Sequence, residues 1–275
     1  MLPLVILDLD GTIIGADGQV QQCVWQAIEK LQAAGVKLCV CTGRPGAGIA
    51  MKIAERIGPR NPHIFHHGAL VTYINGDTVQ VAAIRESTAA TLVRQARDLG
   101  LILEIYTPSG LYVERNTPLT ERHARLIGMT PVVRDLRSVI EDEPVVRAQW
   151  LVPISDRELI ESLPVEDAEM TFATSPGMPD TAFISATRRG IDKGSGVRQL
   201  TDSLRINPLD VMAIGDSEGD IPMLDAVGHP VVMGDAPLGV RERYGTVAGS
   251  ITNCGVVPAL EEALTIEADG SRETR

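Results

Sequence analysis

Apolar and polar positions follow two different rhythms along this chain, and the change of rhythm divides it. Leu4-Val5-Ile6-Leu7 is an unbroken apolar run, the pattern of a strand buried on both faces. After the turn-rich segment 11–18, Val24, Ile28 and Leu31 recur at helical spacing, and Gly35 closes the helix they predict. Residues 36–40 read as a second buried strand ending at Thr42-Gly43-Arg44-Pro45, followed by a helix over about 47–57 and strand-like Ile64-Phe65. Buried strands alternating with helices predict an α/β fold, a doubly wound, parallel-sheet, Rossmann-like domain.

From about Val79 the runs shorten and polar residues enter them. Strands are predicted at 101–106, 111–114, 145–152, 170–174 and 182–185, interleaved with helices at 88–99, 119–127 and 157–163. This is the signature of an α+β segment with a largely antiparallel sheet. Beyond Arg189 the buried rhythm returns, with a helix at 193–204, a strand at 211–214, a helix starting at 221, a strand at 231–233 and a closing helix at 257–264. A polar tail, 267–275, is expected to fray. The economical reading is one α/β core domain, 1–80 and 187–275, into which a second α+β domain, 81–186, is inserted.

Composition narrows the functional classes. With 25 Lys+Arg against 36 Asp+Glu over 275 residues, the net charge is −11, which disfavours nucleic acid as a partner because neutralising phosphates needs clustered cations. No apolar run reaches the ~18 residues of a membrane span. The N-terminus lacks a basic start, and Asp8 and Asp10 interrupt its apolar stretch, so no signal peptide is expected and the protein is placed in the cytoplasm. The four cysteines, at 23, 39, 41 and 254, lack zinc-ligand spacing and are expected to be buried, reduced thiols.

Chemistry gathers at four places, each read as lying just after a buried strand, at the carboxyl edge of a parallel sheet where α/β proteins bind ligands. Asp8-Leu9-Asp10-Gly11-Thr12 places two carboxylates at i and i+2, on one side of an extended chain, before a glycine turn. Thr42-Gly43-Arg44 offers a hydroxyl and backbone N–H groups suited to a phosphate, and reads equally as an ordinary helix N-cap. Gly190-Ile191-Asp192-Lys193-Gly194 sets a lysine near a helix N-terminus. Gly215-Asp216-Ser217-Glu218-Gly219-Asp220 carries two carboxylates four apart, a placement the helix dipole favours in any case. Brought to one sheet edge, the carboxylates of Asp8, Asp10, Asp216 and Asp220 would repel by about 3 kcal/mol per pair at ~5 Å and an effective dielectric near 20. Such a site calls for a divalent cation, and an all-oxygen ligand set without His or Cys points to Mg²⁺. Metal, hydroxyl, amides and lysine around a dianion read as phosphoryl transfer.

In this order, DLDGT at 8–12, Thr42 after an apolar strand, Lys193 and GDSEGD at 215–220 resemble the haloacid dehalogenase superfamily of aspartate-nucleophile phosphohydrolases. The long insert resembles the second-class, B-type cap of its Cof-like branch, and Thr252-Asn253-Cys254-Gly255-Val256 is similar to a segment that branch carries after its last core strand. The resemblance implies Asp8 as nucleophile and Asp10 as general acid and base. It implies Thr42, Gly43 and Lys193 around the phosphate. Mg²⁺ would be held by Asp8, the Asp10 backbone carbonyl and Asp216, with Asp220 supporting. An acid at position 10 favours rapid turnover and hence a phosphatase. The cap is expected to select the substrate, a small phosphorylated metabolite such as a sugar phosphate. Two departures stand out: Gly219 replaces the usual Asn, and His67, in His66-His67-Gly68-Ala69, stands where Asn is common, with a turn histidine the preferred reading and a side chain facing the substrate the alternative. A phosphomutase and a non-catalytic phospho-ligand-binding protein are the alternatives. The assembly is expected to be a monomer or homodimer.

Overall fold

The structure is a computed structural model and describes residues 1–175 and 177–268; of the expected polar tail, residues 269–275 lie outside the described residues. Two compact units make up the chain, the first holding residues 1–43, 53–79 and 192 onward, the second 44–52 and 80–191. The first opens with β1 (Leu4–Leu7), α1 (Gln22–Ala33) and β2 (Lys37–Val40). Then come α2 (Gly48–Ile57), β3 (His63–Phe65), β4 (Leu70–Thr72) and, at the unit boundary, β5 (Thr78–Val81). The second unit runs through α3 (Glu86–Leu99), β6 (Ile102–Thr107), β7 (Gly110–Val113), α4 (Pro118–Ile127), β8 (Val132–Val133) and α5 (Leu136–Asp142). It continues with β9 (Arg147–Pro153), α6 (Arg157–Glu161), β10 (Ala168–Ser175) and β11 (Met178–Arg188). The chain returns to the first unit with α7 (Lys193–Leu204), β12 (Val211–Gly215), α8 (Ile221–Leu224), β13 (His229–Val232), α9 (Leu238–Arg241) and α10 (Val257–Glu262).

The first unit's main sheet has the order β13-β12-β1-β2, parallel throughout. Every residue of β1 and β12 is buried, which is why both read as unbroken apolar runs. The register aligns their ends: Leu7 stands opposite both Ile214 and Val40, so Asp8, Thr42 and Asp216 leave the sheet at one edge. Beneath that edge, Ile6, Cys39, Cys41, Val197, Leu200 and Ala213 pack into one apolar cluster. Cys39 and Cys41 are free thiols on this buried face, and burial pushes both up, away from the reactive thiolate.

The second unit's sheet has the order β10-β11-β9-β6-β7-β8, antiparallel except between β7 and β8. Alternate residues of its strands, among them Leu103, Ile105, Ala148, Trp150 and Ile184, meet Leu92, Val93 and Val139 from α3 and α5. The opposite face carries a buried polar network centred on Glu104. Its carboxylate accepts from the Tyr106 hydroxyl at 2.6 Å and the Gln149 amide at 3.2 Å, and faces His123 Nδ1 at 2.9 Å. These contacts satisfy polar groups that would otherwise be costly to bury, and they account for the polar alternation of these strands.

The cysteine expectation holds for only two of the four. Cys23 and Cys254 form a disulfide across 231 residues, joining the first turn of α1 to the segment before α10. No sequence spacing signals a pair so far apart. On the chain-entropy account, closing a loop of this length restricts the unfolded chain by roughly 5 kcal/mol. Among the described residues, no helix is long and apolar enough to cross a membrane.

Candidate active site

Asp8 follows β1 directly, and its N–H donates to the Ile214 carbonyl at 3.0 Å, so the neighbouring strand fixes where its side chain leaves the sheet. Gly11 then turns the chain at φ 84°, and a Cβ there would lie 2.1 Å from Asp216 Oδ2. Glycine is therefore required at position 11 for both the backbone angle and the close approach. Thr12 donates to Asp216 Oδ1 at 3.3 Å. Lys193 is the first residue of α7, whose start is set by a capping box between Asp192 and Ser195. Its ammonium donates to Asp8 Oδ1 at 2.6 Å and Asp220 Oδ1 at 2.5 Å, with all three groups buried. Asp220's other oxygen accepts from the N–H groups of Asp216 at 3.0 Å and Ser217 at 2.9 Å, and from the Ser217 hydroxyl at 2.8 Å.

The electrostatics divide the carboxylates. Burial drives Asp8 well above the usual carboxylate range although Lys193 opposes it. Burial, with Asp220 nearby, raises Asp216 to about 6. Asp220 is pushed up by burial too, but Lys193 and the Ser217 hydrogen bonds outweigh that and hold it below the ordinary range. Burial alone would lower the Lys193 ammonium, whereas Asp220 and Asp8 keep it well above its usual value. Asp220 is thus held as the anion, whereas burial disfavours negative charge on Asp8 and Asp216, which the protein's own groups only partly balance.

Asp8, Asp216 and Asp220 each present an oxygen, all within 4.8 Å of one another. Three buried or half-buried oxygen donors with incompletely balanced charge fit a hard divalent cation. The Asp10 carboxylate is outside this group; its residue is exposed, beyond the buried Leu9, and forms a bridge to Ile14.

Thr42 is buried beside this edge, its N–H bound to the Ile64 carbonyl at 2.9 Å. The turn after β3 reaches the same place. His66, His67 and Gly68 take φ of 51°, 56° and 102° in succession. Two non-glycine residues in the left-handed region cost roughly 1–2 kcal/mol each, so neighbouring contacts must hold the turn. The His67 N–H donates to the Thr42 carbonyl at 3.2 Å, while Gly68 lies so close to the Asp192 carbonyl that a Cβ would stand 2.1 Å from it. The His67 ring rests on Gly43, where a Cβ would meet its Cε1 at 2.4 Å.

Two features escaped the sequence reading. Ser217, which donates twice to Asp220, carries a signal in the Ser-x-x-Asp capping spacing of 217–220. The ring of His67 on Gly43 has no signal in the sequence, since contact between loops after different strands depends on register. Gly219 is exposed, and an added Cβ would meet only Ser217 Oγ, at 3.5 Å, so nothing in the fold demands glycine there.

Comparison with known proteins agrees with this architecture. The family model of haloacid dehalogenase-like hydrolases matches residues 5–260. A provisionally named phosphatase of Streptococcus pyogenes is 25% identical over 272 residues, covering 95% of this chain and 98% of its own. The phosphoglycolate phosphatase of Methanopyrus kandleri is 26% identical over 267 residues, covering 96% and 98%. Among solved structures, the Bacteroides thetaiotaomicron phosphatase BT1666 superposes with a TM-score of 0.78 at 24% identity, over 97% of this chain and 96% of that one, a likeness of fold. With the family model spanning nearly its whole length, this chain belongs to the haloacid dehalogenase-like hydrolases and is a phosphatase of that family.

Proposed function

We propose that the protein hydrolyses a small phosphomonoester with Mg²⁺ as cofactor, through a phosphoryl group carried on Asp8. The observation that carries this reading is the buried triangle of Asp8, Lys193 and Asp220, with Asp216 beside it, at the edge where Thr42 leaves the sheet. In the first step an Asp8 carboxylate oxygen attacks phosphorus, the bond from phosphorus to the leaving oxygen breaks, and Asp10 gives that oxygen its proton. In the second, water attacks phosphorus, Asp10 takes the water proton, and the bond between Asp8 and phosphorus breaks to release phosphate. Lys193 and the Thr42–Gly43 loop hold the phosphoryl oxygens while charge redistributes. Asp8 and Asp216, with the Asp10 carbonyl, would hold Mg²⁺, and Asp220 keeps Lys193 and the Asp216 loop in place. The bound ion would supply positive charge toward the transferring phosphoryl oxygens.

The exposed position of Asp10 suits a residue that must exchange protons with both a leaving group and water. Substrate size is supported by the Methanopyrus kandleri relative, which is named a phosphoglycolate phosphatase. The test is phosphate release from a panel of phosphorylated metabolites, with Mg²⁺ and with EDTA, on wild type and Asp8→Asn. Release should require Mg²⁺ and fall by about 10³-fold or more in Asp8→Asn. Appreciable turnover in the folded variant, with contamination excluded, would remove the nucleophile assignment, and transfer back to the substrate without free phosphate would favour a mutase.

A further inference from the structure

The mechanism above leaves the strained turn after β3 unexplained. Backbone held in the left-handed region by its surroundings clusters where function needs a side chain kept in one place. Here the surroundings are specific. The turn is wedged between the Thr42 carbonyl, which accepts from His67 N–H at 3.2 Å, and the Asp192 carbonyl at the start of α7, against which Gly68 packs. One segment therefore braces both the Thr42–Gly43 loop and the helix end that carries Lys193. His66 is buried by this arrangement, while His67 is half-buried and its ring is laid over Gly43. The imidazole occupies the volume a side chain at position 43 would fill: a Cβ there would stand 2.4 Å from Cε1, 2.5 Å from Nε2 and 3.1 Å from Nδ1. A plain turn needs no imidazole there, since Gly or Asn adopts the same backbone at lower cost.

We propose that His67 is a substrate-binding residue: its imidazole, seated on Gly43, hydrogen-bonds the phosphoryl group held at the Thr42–Gly43 loop, and the left-handed turn keeps it there. This rests on the reading of that loop as the phosphate site. His67 acts in the bound state, alongside Lys193, and takes no part in bond making or proton transfer.

The test separates side chain from backbone. His67→Gly removes the imidazole and relieves the strain; His67→Asn keeps a residue tolerant of the left-handed region and restores a shorter hydrogen-bonding group. Inorganic phosphate binding with Mg²⁺, by calorimetry, is measured for wild type and both variants, with KM and kcat for p-nitrophenyl phosphate and the thermal midpoint. A lost hydrogen bond to a charged group predicts about a tenfold or greater rise in phosphate Kd and in KM for His67→Gly. The variant's kcat should stay within about threefold and its midpoint should not fall, with affinity partly recovered in His67→Asn. An unchanged phosphate Kd in His67→Gly, or an affinity loss that tracks a lowered midpoint, overturns the inference and leaves the phosphatase reading standing. Failure of wild type itself to bind phosphate overturns the phosphate-loop reading and this inference with it.

Discussion

His63 is fully buried and uses both ring nitrogens: Nδ1 accepts from the Val40 N–H at 3.0 Å, and Nε2 lies 3.0 Å from the Gly58 carbonyl. A nitrogen accepting from a backbone N–H has no place for a proton, so the fold selects the neutral imidazole with hydrogen on Nε2. Burial accordingly lowers its pKa from 6.5 to about 4, against the pull of the Gly58 carbonyl. Between those values the unfolded chain binds a proton that the folded chain does not. The stability contributed by neutral His63 is therefore complete above about pH 6.5 and is lost as pH falls toward 4. His63→Gln should be less stable than wild type near neutrality, with a gap that narrows by about 2–3 kcal/mol on moving to about pH 4.5. Urea midpoints at the two pH values check this, and a gap independent of pH would mean His63 does not titrate in this way. Nothing in the sequence marks His63 as the buried, doubly bonded histidine; only its contacts with Val40 and Gly58 do. Asp8, Lys193 and Asp216 were legible as candidates because they fall in four ordered clusters at the ends of apolar strands or the start of a helix, and together these point to one site where each alone has an ordinary explanation.

Elements near the candidate site depend on a few positions without side chains. Gly194, one residue after Lys193, faces α8, and a Cβ there would stand 2.2 Å from the Pro222 carbonyl oxygen, a backbone atom that cannot swing away. In an isolated helix Gly→Ala would help by about 1 kcal/mol. Here it must push α7 from α8 and shift Lys193 from Asp8 and Asp220. Gly194→Ala should therefore cost about 1–3 kcal/mol, and a displacement near 1 Å would lower turnover by about 100-fold. Thermal unfolding and phosphate release measure the two effects, and a stabilised, fully active variant would show the contact to be looser than described. Element by element, α7 and the buried strands β1, β2 and β12 were readable because each satisfies its own pattern. The sequence did not reveal β4, β5, β8, α5 or α9. β4 and β8 have three and two residues and exist through their pairing partners, β3 and β7. α5, seven residues long, is started by Asp135 accepting from the N–H groups of Arg137 and Ser138, a cap hidden among polar neighbours. Propensity over so few residues is too weak to register without tertiary contacts.

At the scale of the whole molecule, the division into a parallel α/β unit and an antiparallel α+β unit was visible in the change from solid to interrupted apolar runs. The parallel sheet buries both faces of its central strands, whereas the antiparallel sheet gives one face to Glu104 and its partners. The pairing of Cys23 with Cys254 was invisible for the opposite reason, because it is a property of the closed fold and of no local pattern. A crosslink of this kind belongs more often to an oxidising compartment than to the cytoplasm expected from the sequence. It also closes residues 23–254 into a ring. A ring cut once stays in one piece. A protease nick at the exposed Asn75–Gly76–Asp77 segment should leave the mass unchanged on a denaturing gel run without reductant. Two fragments should appear once a thiol is added, while Cys23→Ser should yield them in either gel. Backbone continuity across the interior of the chain is thus backed by a second covalent path, and the protein can be severed without coming apart.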